Sequence, residues 1–218
     1  MRNGYQSKQQ IECVVDSKMA KIWTYKTPGV PDEMFLQSES VPGPTKEEVR
    51  VLTISKARLH EGSVVFDVGC GTGGLTVEAA LQVAPSGKVY SLDEDQVAVE
   101  LTLSNVKKFG LEENVIVTRG KAPEALANFP SADAILVGGS VSLREVLQAS
   151  KAKLKQNGRV VVNAILLETA CTAVDELKNL NFKEIDVAQV SVAKGKQINS
   201  GTMMMARNPI TIVSASKP

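Results

Sequence analysis

Hydrophobic positions along this chain follow two periods that take turns. From Val64 onward, short β-branched runs alternate with stretches whose apolar residues recur every third or fourth position. The runs predict strands at 64–68, 88–93, 115–119, 133–137 and 159–166. The amphipathic stretches predict helices at 74–84, 95–109, 122–128, 141–154 and 168–180. Strands and helices alternating through short connections indicate an α/β fold with a parallel, doubly wound sheet. The last third changes character. Residues 183–193 and 202–214 read as two longer strands joined by 194–201, an antiparallel hairpin that closes a mostly parallel sheet.

Ahead of the alternating region, residues 1–27 are polar with weak periodicity and read as an N-terminal arm, which leaves 28–218 as a single domain. Trp23 and Tyr25 are expected to pin the arm to the body; base stacking is the sharper alternative, with only scattered lysines to support it. The proline- and glycine-punctuated segment from Pro28 to Pro44 reads as a surface loop. Thr45 then opens a helix to about Leu59, with Glu48 completing a T-x-x-E capping box.

The chemistry concentrates where the first strand of the alternating region ends, at Asp67-Val68-Gly69-Cys70-Gly71-Thr72-Gly73-Gly74. Glycines there let backbone N–H groups approach a ligand, and the following helix offers its free N–H groups and positive dipole end. Two cofactors compete for such a turn. Gly69, Gly71 and Gly74 satisfy the dinucleotide pattern G-x-G-x-x-G, with Asp93 about 20 residues onward to hold a ribose. Asp67, Gly69, Gly71 and Gly73 equally satisfy the acidic-x-G-x-G-x-G pattern of S-adenosyl-L-methionine enzymes. Asp93 serves either ribose. Asp67 favours the second, because a carboxylate at the loop suits the ammonium of a methionine moiety and repels a pyrophosphate. The absence of a further βαβ half after the hairpin favours it too.

Bulk properties narrow the field. The 218 residues are 43% hydrophobic with a formal charge of +1, which suits one domain with a proper core and provides no global field for nucleic acid. Cys13, Cys70 and Cys171 are widely spaced without C-x-x-C, so a reducing compartment and no metal site are expected. Cys70 reads as a small side chain fitting the turn, with a reactive thiol the alternative. No apolar run is long enough for a membrane span and no signal-peptide core is visible, which predicts a cytoplasmic protein. His60, the only histidine, lies upstream of the first strand of the alternating region and reads as a surface turn residue rather than a general acid or base.

In open α/β sheets ligands bind beyond the carboxyl ends of the strands. That places Asp67–Gly73, Asp93, Gly120-Lys121-Ala122, Gly138-Gly139-Ser140 and Leu167-Glu168-Thr169 as candidates. The glycines after the fourth of these strands leave open space for a substrate, or form a simple turn. Glu168 is a candidate general acid, or an acidic residue welcomed by the helix dipole in a first turn.

Several stretches are more distinctive. Trp23–Phe35 leads into Ser40-Val41-Pro42-Gly43-Pro44-Thr45-Lys46-Glu47-Glu48-Val49-Arg50, and Ala122-Pro123-Glu124, Gly201-Thr202-Met203-Met204 and Arg207-Asn208-Pro209 follow. With the glycine loop, the chain from Trp23 onward resembles the cobalamin-pathway methyltransferases that act on carbon 15 of precorrin-6B or cobalt-precorrin-6B and decarboxylate the carbon 12 acetate. The resemblance implies a class I S-adenosylmethionine methyltransferase (Rossmann-like) fold and a homo-oligomer, a tetramer. It also implies cofactor contacts at Thr45, Gly69, Cys70, Gly71, Thr72, Gly73, Asp93 and Ala122. One departure is Lys121, where the family commonly has an acidic residue, so backbone from this turn would meet the adenine. The absence of a fused second methyltransferase domain implies, by the same resemblance, the cobalt-containing branch. A tetrapyrrole polycarboxylate needs a local basic rim, for which Lys26, Lys46, Arg50, Lys194, Lys196 and Arg207 are available. A methyltransferase acting on tRNA or protein stays open, as do a nicotinamide oxidoreductase and a non-catalytic cofactor-binding subunit.

Overall fold

The computed structural model describes residues 22–138 and 142–218. Five parallel strands form most of one sheet: β1 (Val64–Val68), β2 (Lys88–Asp93), β3 (Val115–Arg119), β4 (Ala132–Gly138) and β5 (Leu154–Ala164). Between and around them lie α1 (Glu47–Ala57), α2 (Gly74–Val83), α3 (Gln96–Lys108), α4 (Leu143–Lys153) and α5 (Leu167–Asn179). The expected helix at 122–128 is a 3-10 turn over Glu124–Asn128.

Side chains alternate between two cores across this sheet, as the pleat requires. Phe66, Ile135, Val137, Val160 and Val162 face one core, and Val65, Ala134, Leu136 and Val161 face the other. Strands buried on both faces explain the continuous apolar runs of the sequence. The strand order is β3-β2-β1-β4-β5, so the chain reverses direction across the sheet between β1 and β4. A crevice opens at such a switch point, beyond the carboxyl ends of both strands.

The C-terminal closure departs from a simple hairpin. β6 (Lys183–Val190) and β9 (Ile210–Ser216) do pair antiparallel, but β9 inserts between β5 and β6, leaving β6 at the edge. The expected connection at 194–201 is itself structured. β7 (Ala193–Ile198) and β8 (Gly201–Ala206) form a separate two-stranded ribbon, and the second long strand is broken at Arg207-Asn208-Pro209. Pro209 has no N–H to contribute to a ladder, so it ends one pairing before the next begins.

The start of α1 also differs. Its N-cap is Lys46, not Thr45, and no side chain of the expected capping box serves it. The cap comes from far back in the chain: Asp32 Oδ1 accepts the Glu47 N–H at 2.9 Å. Of the N-terminal arm, residues 1–21 lie outside the described residues, Cys13 among them, while Trp23 packs partly against the second core. Among the described residues no helix is long and apolar enough to cross a membrane.

Candidate active site

At the switch point the glycine loop runs from β1 to α2, and its conformation is set by close contacts. Gly69 and Cys70 donate their N–H groups to Leu92 O at 2.8 and 3.1 Å, and Gly71 N–H reaches Asp93 Oδ2 at 2.9 Å. Gly73 has φ +82° and lies so close to α3 that a Cβ there would come within 2.9 Å of Thr102 Oγ1 and 3.1 Å of its Cα. Gly71, with φ +53°, would carry its Cβ into open space. One glycine is thus required by packing, the other by backbone geometry at the ligand side.

The loop borders a cleft of about 440 Å³ whose lining includes Thr45, Asp67, Gly69, Cys70, Gly71, Thr72, Asp93, Ala122 and Gly138. Of the expected cofactor residues only Gly73 does not line it; its role is the approach to α3. Lys121, the departure from the family pattern, lines it too. Asp67, Asp93, Glu94 and Asp95 against Lys121 make this an acidic cleft.

Asp67 is buried at the end of β1. Its Oδ2 accepts the Thr76 hydroxyl at 2.6 Å, and Thr76 Oγ1 lies 2.8 Å from Ser91 Oγ. Burial pushes its carboxyl up to about 6, with the Asp93 charge adding to the rise and Thr76 opposing it. Such a carboxylate is short of positive charge, which a cationic ligand supplies. Asp93 is positioned by backbone: Gly71 N–H on Oδ2 and Asp95 N–H on Oδ1 at 3.0 Å, each oxygen keeping lone pairs for ribose hydroxyls. Cys70 is buried, and burial first, then the Asp67 charge, pushes its thiol up to about 12. It stays protonated and unreactive, leaving the packing role.

The wall opposite the glycine loop is the proline segment, tied down by polar contacts across long sequence distances. Thr72 Oγ1 donates to Pro42 O at 2.9 Å, and Asn105 bonds both Leu36 and Thr72. Arg50, expected in a basic rim, is instead fully buried behind this wall. It pairs with Asp32 at 2.7 Å and Glu78 at 3.4 Å, and donates to Thr45 O and Val30 O. Glu78 in turn accepts the Val30 N–H at 2.9 Å.

A second cavity of about 870 Å³ adjoins the first and shares Pro42–Thr45 and Gly138 with it. Its wall is apolar at Val49, Ile165, Leu166, Val190, Val192 and Ile210. Its charged lining residues are Lys46 and Arg207, with no carboxylate among the described residues there. Lys194 is engaged with Glu47 and Glu48 at 2.8 and 3.2 Å; neither it, Lys26 nor Lys196 lines the cavity. Gly138 lines both cavities, while Gly139 and Ser140 lie outside the described residues. Glu168 is exposed in the first turn of α5 and lines neither cavity, although the next residue, Thr169, does. The place of Glu168 in the first turn of α5 is the helix-dipole position. The fifth strand, expected to run to 166, ends at Ala164, and Asn163 next to that end lines the second cavity.

A switch-point cleft with a glycine turn, an acid at the end of β2 and four carboxylates against Lys121 is that of a class I S-adenosylmethionine-dependent methyltransferase. The acidic donor set fits that cofactor's ammonium and sulfonium and is wrong for a dinucleotide's pyrophosphate. Residues 41–217 match the model of the precorrin methyltransferase domain family, and the chain belongs to that family. A protein of Sulfurisphaera tokodaii described as "probable cobalt-precorrin-6B C(15)-methyltransferase (decarboxylating)" is 49% identical over 88% of this chain and 100% of its own. A Saccharolobus solfataricus protein of the same description is 43% identical over 90% of this chain and 99% of its own. The crystal structure of precorrin 8W decarboxylase from Methanobacterium thermoautotrophicum superposes with a TM-score of 0.82 at 42% identity, covering 85% of this chain and 98% of that one.

Proposed function

We propose that this chain methylates carbon 15 of cobalt-precorrin-6B, or of its metal-free counterpart precorrin-6B, and decarboxylates the carbon 12 acetate, in cobalamin biosynthesis. The observation that carries the reading is the pair of adjoining cavities of opposite character. An acidic cleft suits a cationic methyl donor. A larger apolar cavity whose charged residues are Lys46 and Arg207 suits a broad ring bearing carboxylates.

S-adenosylmethionine supplies a methyl group already activated on a sulfonium. The protein's part is to hold two reactants in near-attack geometry and keep water out. Asp67 faces the ammonium end and Asp93 the ribose, while the turn at Lys121 and Ala122 flanks the adenine. Gly138 presents no side chain where the two cavities share a wall, and a Cβ there would stand 3.4 Å from Gly69 O. Ile165 and Leu166 offer the ring face an apolar wall. Loss of carbon dioxide uses the conjugated ring as electron sink, followed by return of a proton.

We infer further that the protein acts as a homo-oligomer, a tetramer, in the cytoplasm, without nucleic acid or membrane as partner. Support for self-association lies in the β7–β8 ribbon, whose Met203, Met204 and Met205 are exposed. An isolated two-stranded ribbon is marginal in water, and packing against other copies would bury it. Light scattering of the purified protein tests this.

The first test of function is calorimetric titration with S-adenosylhomocysteine and with NAD⁺, on the wild type and Asp93→Ala. Binding of the first alone, weakened about 10- to 100-fold in the variant, is expected. Conversion of cobalt-precorrin-6B to a product that has gained a methyl and lost carbon dioxide, followed by mass spectrometry, completes it. Binding of NAD⁺ instead would overturn the reading.

A further inference from the structure

Arg207 stands where the chain breaks between β8 and β9, and its backbone N–H donates to Val192 O at 2.9 Å. The residue lines the larger cavity, and its side chain keeps 24% of its surface exposed. A single nitrogen, Nη1, makes its ionic contacts. It donates to Glu48 Oε2 at 3.0 Å and stands 3.5 Å from Asp32 Oδ2. Nε and Nη2 bond no described residue. A guanidinium is a rigid planar fork, so holding one nitrogen between two carboxylates limits where the others point.

Glu48 itself lines neither cavity. It sits in the first turn of α1, and its other oxygen, Oε1, meets Lys194 of β7 at 3.2 Å. From Lys194 the ion pairs run on to Glu47, and from Asp32 to Lys46 and the buried Arg50 and Glu78. Four cations and four carboxylates make up this network, so the cations of the cavity wall carry no surplus charge. Surplus cations would attract any polyanion, whereas balanced ones favour a carboxylate that meets directed N–H groups. Asp32 also caps α1 and pairs with Arg50, whereas the ion pairs of Glu48 are with Lys194 and Arg207 alone among the described residues.

We propose that Glu48 is a positioning residue for the reaction. It holds Nη1 of Arg207 and balances its charge, leaving Nε and Nη2 to receive a substrate carboxylate in one orientation. This rests on the polycarboxylate tetrapyrrole reading above. A carboxylate delivered edge-on to the fork gains two parallel bonds. One drawn in by charge alone gains little, because the Glu48 carboxylate opposes it.

The test uses uroporphyrin, a stable tetrapyrrole polycarboxylate, titrated by fluorescence against wild type, Glu48→Gln and Glu48→Asp. S-adenosylhomocysteine affinity is measured on the same samples. Glu48→Gln should bind uroporphyrin about three- to tenfold more tightly and with a steeper salt dependence, because the cations lose an opposing charge. Glu48→Asp keeps the charge and should stay within about twofold of wild type, as should S-adenosylhomocysteine binding by both variants. Relative to Arg207→Gln alone, adding Glu48→Gln should change uroporphyrin affinity by less than about twofold. In turnover of cobalt-precorrin-6B, Glu48→Gln should lower KM and lower kcat by about tenfold or more, since the ring is held by charge and not in the productive orientation. Unchanged or weaker uroporphyrin binding by Glu48→Gln would overturn the proposal, as would an unchanged kcat. Equal tightening without Arg207 would also overturn it, by assigning the effect to Lys194, and a parallel loss of S-adenosylhomocysteine binding would do so by showing a structural role. Failure of the wild type to bind uroporphyrin at all would instead strike the polycarboxylate reading, and the proposal with it.

Discussion

Asp67→Asn should make the free protein more stable and the cofactor complex weaker. The carboxyl is buried and its ionisation is displaced from 3.8 to about 6 by burial, with the Asp93 charge in support. A raised carboxyl favours folding only while protonated, so its contribution is fully present below the unfolded value of 3.8. It is lost as pH rises through about 6. At about 1.4 kcal/mol per unit, keeping Asp67 ionised at neutral pH costs roughly 3 kcal/mol. Asparagine keeps the acceptor for Thr76 without the charge. For a chain of this size, about 2–4 °C per kcal/mol gives a melting temperature higher by about 6–12 °C at pH 8. The gain should shrink below pH 6 and vanish near pH 4, where wild-type Asp67 is protonated. Calorimetry with S-adenosylhomocysteine should show the opposite sign. Wild-type affinity should fall by up to about tenfold per pH unit below 6, as the ligand's ammonium must first displace the proton. The variant should bind weakly and without that slope. A variant no more stable than wild type at pH 8, or one whose advantage persists at pH 4, would refute the electrostatic account.

Arg50→Met should cost about 3–5 kcal/mol in denaturant unfolding, because it leaves Asp32 and Glu78 buried without their common partner. Adding Glu78→Gln should recover part of that loss, and an additive double mutant would show that the two do not interact. Lys46→Gln with Arg207→Gln should weaken uroporphyrin binding by about tenfold or more and flatten its salt dependence while sparing S-adenosylhomocysteine; retained salt dependence would place the attraction elsewhere.

The fold's central part was legible because its signals are local. Strand and helix periods, and the glycine turn ending at an acid, depend on residues a few positions apart, and Asp67, Gly71 and Asp93 fall where those signals put them. Misreadings arose wherever a distant partner decided. Thr45 and Glu48 have the form of a capping box, but a better acceptor reaches the helix start from Asp32. Arg50 looked like a surface cation because nothing nearby in sequence shows two carboxylates and two carbonyls converging on it. The end of β5 differs for a smaller reason: the apolar run continues through Ile165 and Leu166, but the strand pairing stops at Ala164.

The buried Arg50 cluster also explains why the proline segment can serve two cavities. Pro42–Thr45 forms a wall common to both, so any drift of this segment would alter the gap between methyl donor and acceptor. A segment without regular structure has few bonds of its own to resist drift. Here the resistance comes from the cofactor side of the sheet. Glu78 of α2 holds Gly29 and Val30, Asn105 of α3 holds Leu36, and Thr72 of the glycine loop holds Pro42. Asp32 then ties the segment to α1, and through Arg50 back to α2. Placement of the larger cavity is therefore referenced to the same helices that shape the acidic cleft.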